Sequence, residues 1–327
     1  MPPALTIADP DHLPAALRGA STAIGNFDGL HRGHQVILGR ALAMAKAACA
    51  PTTVLTFEPH PRTLFRPHEP VFRLTPPSAR ARILSALGFD GMVVMPFGPE
   101  TAQLSPGEFV AHFLRRRLEV SAVAVGADFH FGRNREGSAA FLAEAGRAAG
   151  FAVDVTQKVA DEGGAPFSSR RAREALVAGD VATANRMFGY RWFVIGEVVH
   201  GDARGRELGY PTANLDLGPD FRLRHGIYAV KVARASGETF AGVANFGRRP
   251  TFGGGAPLLE AHLFDFAGDL YGETITVSFI DWIRPEEKFD SAAALVARMA
   301  EDAAAARIIV AAAGEGGPLD RLLAAKR

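Results

Sequence analysis

A change of hydrophobic period near residue 190 splits the chain into two stretches that cannot share one architecture. Before it, apolar runs at 22–27, 52–57, 91–97, 121–128 and 151–155 alternate with helical patterns at 35–48, 78–87, 106–118 and 139–149. Strand and helix in alternation, roughly every 30 residues, predict an α/β fold with a parallel sheet covered by helices on both faces. After it come runs rich in Val, Ile, Tyr and Phe at 193–199, 226–233, 239–245, 259–264 and 274–280, separated by Gly-rich turns. Short strands with no long helix between them predict a small antiparallel β-barrel or sandwich. The Ala-rich stretch 291–313 then predicts a closing C-terminal helix, with Leu295, Val296 and Met299 at helical spacing. The boundary is expected near 188–191, giving domains 1–188 and 189–327.

Charge and cysteine content remove several functions. Lys plus Arg number 36 against 35 Asp plus Glu, a balance that gives no reason to expect nucleic acid or an anionic membrane as partner. One cysteine, Cys49, excludes an intrachain disulfide and a thiolate metal cluster. The first residues carry no basic-then-apolar leader, and apolar stretches are interrupted before membrane-spanning length. The expectation is a cytoplasmic protein, with weak self-association left open.

Two loops carry chemistry. No lysine is followed by Ser or Thr, so a P-loop is absent, and an α/β half that binds ATP must use another device. The strongest candidate is Gly25-Asn26-Phe27-Asp28-Gly29-Leu30-His31-Arg32-Gly33-His34, where a strand gives way to a helix. A helix N-terminus offers free N–H groups to a phosphate, and two imidazoles can donate to phosphate oxygens as charge develops. Alone, H-x-G-H also fits a pair of surface histidines. The second loop, Gly205-Arg206-Glu207-Leu208-Gly209-Tyr210-Pro211-Thr212-Ala213-Asn214, sets a hydroxyl and an amide close together, both oxygen ligands suited to magnesium. As a bare pattern it fits a polar turn equally well. Glu260 is a carboxylate within an apolar run, costly unless it has a chemical task; a solvent-facing strand residue is its plainer reading.

The first run, with Thr56-Phe57-Glu58-Pro59-His60-Pro61-Arg62 and Gly126-Ala127-Asp128-Phe129-His130-Phe131-Gly132, resembles the flavin-adenylylating branch of the nucleotidyltransferases. The G-R-x-x-G-x-P-T-A-N run, with Asn245-Phe246-Gly247-Arg248-Arg249-Pro250-Thr251 and Asp269-Leu270-Tyr271-Gly272, resembles the riboflavin kinases. Together they look like the prokaryotic FAD synthetase family. The resemblance implies a Rossmann-like nucleotidyltransferase domain and a kinase barrel, acting on riboflavin, FMN and ATP with Mg2+. It implies ATP contacts for adenylyl transfer at Gly25, Asn26, Phe27, Asp28, His31, His34, Ser168, Ser169 and Arg173, and FMN contacts at Pro59, His60 and Asp128. For the kinase it implies ATP contacts at Gly205, Arg206, Gly209, Pro211, Thr212 and Asn214. Thr212 and Asn214 would hold Mg2+, Glu260 would be the general base, and Arg284 would lie in a flap beside the flavin. One departure stands out: where the family carries a Thr after its two serines, this chain has Arg170. A working kinase joined to a weakened adenylyltransferase is therefore the competing expectation, and an inactive flavin-binding regulator a further one.

Overall fold

The computed structural model describes residues 5–69, 71–201, 209–247 and 257–325. Contacts divide the chain into two compact units, Met1–Val71 with Thr75–Ser168, and Phe72–Leu74 with Ser169–Arg327.

In the first unit the expected alternation appears, with one further strand in the main sheet and a separate short two-stranded pair. The strands are β1 (Thr6–Ala8), β2 (Ser21–Ile24), β3 (Thr52–Glu58), β4 (Gly91–Pro96), β5 (Ala122–Gly126), the short pair β6 (His130–Phe131) and β7 (Gly137–Ser138), and β8 (Ala152–Thr156). The helices are α1 (Arg32–Ala48), α2 (Pro61–Phe65), α3 (Pro77–Leu87), α4 (Pro99–Gln103), α5 (Pro106–Glu108) and α6 (Ala139–Ala149). Helix α5 starts on a Ser105/Glu108 capping box and runs into a π-helical segment, Phe109–Arg117. Six strands form one parallel sheet in the order β1-β4-β3-β2-β5-β8. From β2 the chain lays β3 and β4 to one side, then crosses to lay β5 and β8 on the other. The order reverses between β2 and β5, and open α/β sheets bind ligands beyond the C-terminal strand ends at such a point. Ile24, Leu55, Val93, Val123 and Val125 of the sheet pack with Leu114, Leu118, Leu142 and Phe151 in one continuous core.

The second unit begins with α7 (Ser169–Ala178) and α8 (Val181–Phe188), followed by β9 (Phe193–Glu197), β10 (Ala213–Asp216), β11 (Gly226–Ala233), β12 (Thr239–Gly247), β13 (Leu258–Leu263) and β14 (Thr274–Arg284). The closing helix α9 (Ala292–Ala313) is capped by Ser291, whose side chain accepts from Ala294 N, and α10 (Pro318–Ala325) follows. The strands form one antiparallel sheet in the order β10-β13-β12-β11-β14-β9. A bridge between Val199 and Asn214 joins its two ends, so the sheet curls into a nearly closed barrel. Tyr228, Val230, Phe246, Leu259, Val277 and Phe279 are all buried. Ala306 and Val310 of α9 pack with Ala229 and Ile280 of β11 and β14. Helix α8 belongs here because Asn185 donates to Phe279 O and accepts from Trp192 N. The segment Phe72–Leu74 belongs here too: Trp192 Nε1 donates to Leu74 O at 2.7 Å, and Phe72 meets Trp192 and Phe221 edge-on.

Candidate active sites

Between Ile24 and α1 the backbone takes left-handed φ at Phe27 (+46°), Gly29 (+88°) and Leu30 (+37°). Two of these are not glycine, a conformation that needs surrounding contacts to persist. Both side chains are buried. Asp28, also buried, accepts from Thr75 N at 2.9 Å, Gly29 N donates to Thr75 Oγ1 at 2.8 Å, and Gln35 Nε2 donates to Leu30 O at 2.8 Å. The loop is thereby fixed at the start of α1.

His31 is the N-cap of α1, its Nδ1 accepting from His34 N at 3.2 Å. A backbone N–H can only donate, so Nδ1 carries the lone pair and the neutral ring carries its proton on Nε2. Burial lowers the His31 pKa to about 4, opposed in part by its own backbone and by the carboxylates of Asp28 and Asp128. His34 stacks on His31 with ring centroids 3.6 Å apart and meets Phe27 edge-on. Its pKa also lies well below the usual value, through burial first and then the neighbouring His31 and Arg80. At neutral pH both rings are therefore uncharged donors beside the free N–H groups of a 17-residue helix. A Cβ on Gly33 would stand 3.2 Å from the His31 ring, so glycine leaves that imidazole its room.

Other expected residues fall around this loop or apart from it. Asn26 Oδ1 is buried with no hydrogen-bond partner among the described residues, and Asn26 O accepts from Thr56 Oγ1. Pro59 and His60 follow β3, and His60 caps α2 by accepting from Arg62 N. Asp128 follows β5, pairs with Lys158 at 3.2 Å in solvent, and is close enough to bias His31. Ser168 ends the first unit, while Ser169 and Arg173 lie on α7 in the second, Arg173 Nε donating to Phe72 O. Arg170 is exposed and pairs with Glu174 one turn along the same helix.

In the barrel, strand register builds a polar row. Asn214 of β10 stands opposite Glu260 of β13, which stands opposite Asn245 of β12. Residues opposite each other on antiparallel strands share a face, so an amide flanks the carboxylate on each side. Asn245 Nδ2 lies 3.5 Å from Glu260 Oε2, and Oδ1 of both asparagines is buried without a partner among the described residues. Asn214 Nδ2 lies 3.5 Å from Thr212 O, and a Cβ on Gly201 would strike its amide at 2.4 Å. Pro211 O is held by His262 Nδ1 at 2.8 Å, and Gly209 has φ +82°. Gly205 and Arg206 lie outside the described residues. Among the described residues no cluster of three His, Cys, Asp or Glu could hold a metal. A hydroxyl and an unpartnered buried amide oxygen do suit magnesium, which takes few protein ligands alongside phosphates and water.

Arg284 differs from its expectation. It is not in a flap: it ends β14, buried, with Nε and Nη2 forked onto Asp302 of α9 at 2.8 and 2.6 Å. Sequence reasoning also passed over Thr75, Arg80 and Asn245, the first two because no local spacing ties them to the loop they contact.

A family model described as FAD synthetase matches residues 13–171, and one described as riboflavin kinase matches residues 188–310. A bifunctional riboflavin kinase/FMN adenylyltransferase of Pseudomonas fluorescens is 41% identical over 295 residues, 90% of this chain and 94% of the relative. Proteins of the same description from Escherichia coli (strain K12) and Bacillus subtilis (strain 168) are 39% identical over 293 residues and 34% over 304; each match spans 90% of this chain, and 93% and 94% of the respective relative. A crystal structure described as a macrolide-efflux protein from Streptococcus pneumoniae superposes with a TM-score of 0.81 at 31% identity, covering 93% of this chain and 99% of that one. No described helix of the present chain is long and apolar enough to cross a membrane.

Proposed function

Because the chain belongs to the family of bifunctional riboflavin kinase/FMN adenylyltransferases, we propose a division of labour among its residues for two successive reactions. The protein phosphorylates riboflavin to FMN with ATP, then joins FMN to the adenylyl group of a second ATP, giving FAD and pyrophosphate.

For adenylyl transfer, the FMN phosphate displaces pyrophosphate at the α-phosphorus directly, and the protein forms no bond to substrate. His31 and His34 donate to phosphate oxygens, and the first N–H groups of α1 add positive potential. Catalysis comes from positioning and from donors fixed before charge develops. Asn26, Asp28 and Gly25 shape the nucleotide loop, and Pro59, His60 and Asp128 border the flavin phosphate. The observation that carries this reading is the buried neutral His31, held as an Nε2–H donor by its own capping bond.

For phosphorylation, Glu260 takes the proton of the ribityl 5′-hydroxyl as that oxygen attacks the γ-phosphorus. Pro211 and Gly209 shape the approach to the phosphates, where Thr212 and Asn214 would hold Mg2+. The ion, when bound, neutralises charge on the transferring group. Arg284, already forked onto Asp302, is assigned to the frame of the barrel. Both reactions consume ATP, which supports a cytoplasmic location.

The test is a time course with riboflavin, ATP and magnesium, with flavins resolved by chromatography. FMN first and FAD after a lag is the expected result. FMN accumulating without FAD would favour the weakened adenylyltransferase suggested by Arg170. No conversion of riboflavin would remove the enzymatic reading.

A further inference from the structure

The first unit holds a buried cation that no motif of the sequence marks. Arg80 lies on α3 and is 1% exposed. Its Nη1 donates to Thr56 Oγ1 at 2.7 Å, and its Nη2 to Glu58 Oε1 at 3.0 Å and Thr75 O at 3.4 Å. Each of these partners touches the nucleotide loop or the strand end beside it. Thr56 Oγ1 donates to Asn26 O, Thr75 N donates to Asp28, and Thr75 Oγ1 accepts from Gly29 N. Glu58 ends β3 immediately before Pro59 and His60. One guanidinium therefore ties together the end of β3, the start of α3 and, through two threonines, the loop that carries Asn26, Asp28 and Gly29.

The same cation also acts through space. Arg80 is among the groups that keep His34 uncharged, with burial and His31 as the others. The remaining ring against His34 is Phe27. A guanidinium is suited to this place because it stays charged when buried and offers several donors in a rigid fork, which a lysine ammonium does not.

We propose that Arg80 is the positioning residue of adenylyl transfer, holding the His31/His34 loop in register with the end of β3 through Thr56, Glu58 and Thr75. It contacts the loop's anchors and not the reacting atoms. The assignment rests on the adenylyl-transfer reading of this unit and deepens it.

The experiment assays the two half-reactions separately in full-length protein: riboflavin to FMN, and supplied FMN to FAD. The parent, Arg80→Met and Arg80→Lys are compared. In Arg80→Met the kcat for FAD formation is expected to fall about 100-fold, the scale of a misplaced catalytic group, with FMN formation within about twofold of the parent. Arg80→Lys is expected to recover part of the loss, since it restores charge without the fork. The acid limb of the FAD pH profile is expected to move to higher pH in Arg80→Met and to return in Arg80→Lys, because a lost cation lets His34 protonate more readily. A purely structural role would not produce that paired shift. Arg80→Met making FAD at the parental rate overturns the proposal, as does a loss with an unmoved acid limb. If Arg80→Met loses both half-reactions, Arg80→Lys decides: intact FMN formation with reduced FAD formation supports the proposal, and parental rates of both overturn it. A parent that makes no FAD instead brings down the underlying reading of the unit.

Discussion

His31 combines two duties in one ring: its Nδ1 caps α1, and its Nε2–H is left to face a phosphate. An unfolded histidine titrates near 6.5, whereas burial takes the folded ring to about 4. Between those values the unfolded chain binds the extra proton, so stability is lost as pH falls through that window, by about 3 kcal/mol when fully expressed. His31→Asn keeps a capping acceptor but removes the titration. Urea midpoints of the two proteins measured from pH 7 to pH 4 should diverge, with the variant losing less stability on acidification. FAD formation in this variant should fall roughly 100- to 1000-fold, as for loss of one preorganised donor. In the barrel, Glu260→Gln keeps the shape of the polar row but cannot accept a proton. FMN formation should drop about 100- to 10,000-fold while FAD formation from supplied FMN is unchanged. The placement of the histidines at a strand-to-helix turn and of Glu260 in a strand was legible from the pattern around them. Thr75, Arg80 and Asn245 were not: Thr75 meets residues 46 to 48 positions away, Arg80 meets Thr56 and Glu58 at 24 and 22, and Asn245 becomes conspicuous only when strand register sets it beside Glu260.

Among the elements, long buried strands and amphipathic helices could be read directly, and α6 has its expected bounds. The elements missed are those with little local pattern. Strand β1 has three residues and gains definition only by pairing with β4, and β10 has four, set against β13 beside a polar loop. The π-helical stretch Phe109–Arg117 has the apolar face of an ordinary helix, so its pitch is invisible in the sequence. Arg284 itself lies outside any flap for another reason: a charged run reads as solvated, yet Asp302, 18 residues on, takes the arginine into a buried fork. That fork fastens α9 to β14. Asp302→Ala should cost about 3 kcal/mol, since it leaves a buried cation with only the half-exposed Glu287 as counter-charge. Chemical denaturation of the full chain followed by FMN formation should show the barrel unfolding at lower denaturant than in the parent, with FAD formation from FMN as the internal comparison.

Across the whole molecule, the parallel sheet, the antiparallel barrel and the closing helix were all legible, because each has its own period and the period changes once. What no period could reveal is that a short piece of the first half of the chain belongs to the second unit. Phe72–Leu74 supplies the carbonyls that accept from Trp192 and Arg173, and an aromatic ring against Trp192 and Phe221. A single cut in the gene would therefore part Phe72–Leu74 from the unit in which they pack. A fragment encoding only residues 169–327 would leave a buried indole N–H without its acceptor and a gap where Phe72 packs, so a kinase excised that way would start life destabilised. Dividing the two activities between separate genes would go more easily if a substitute for those three residues travelled with the kinase half.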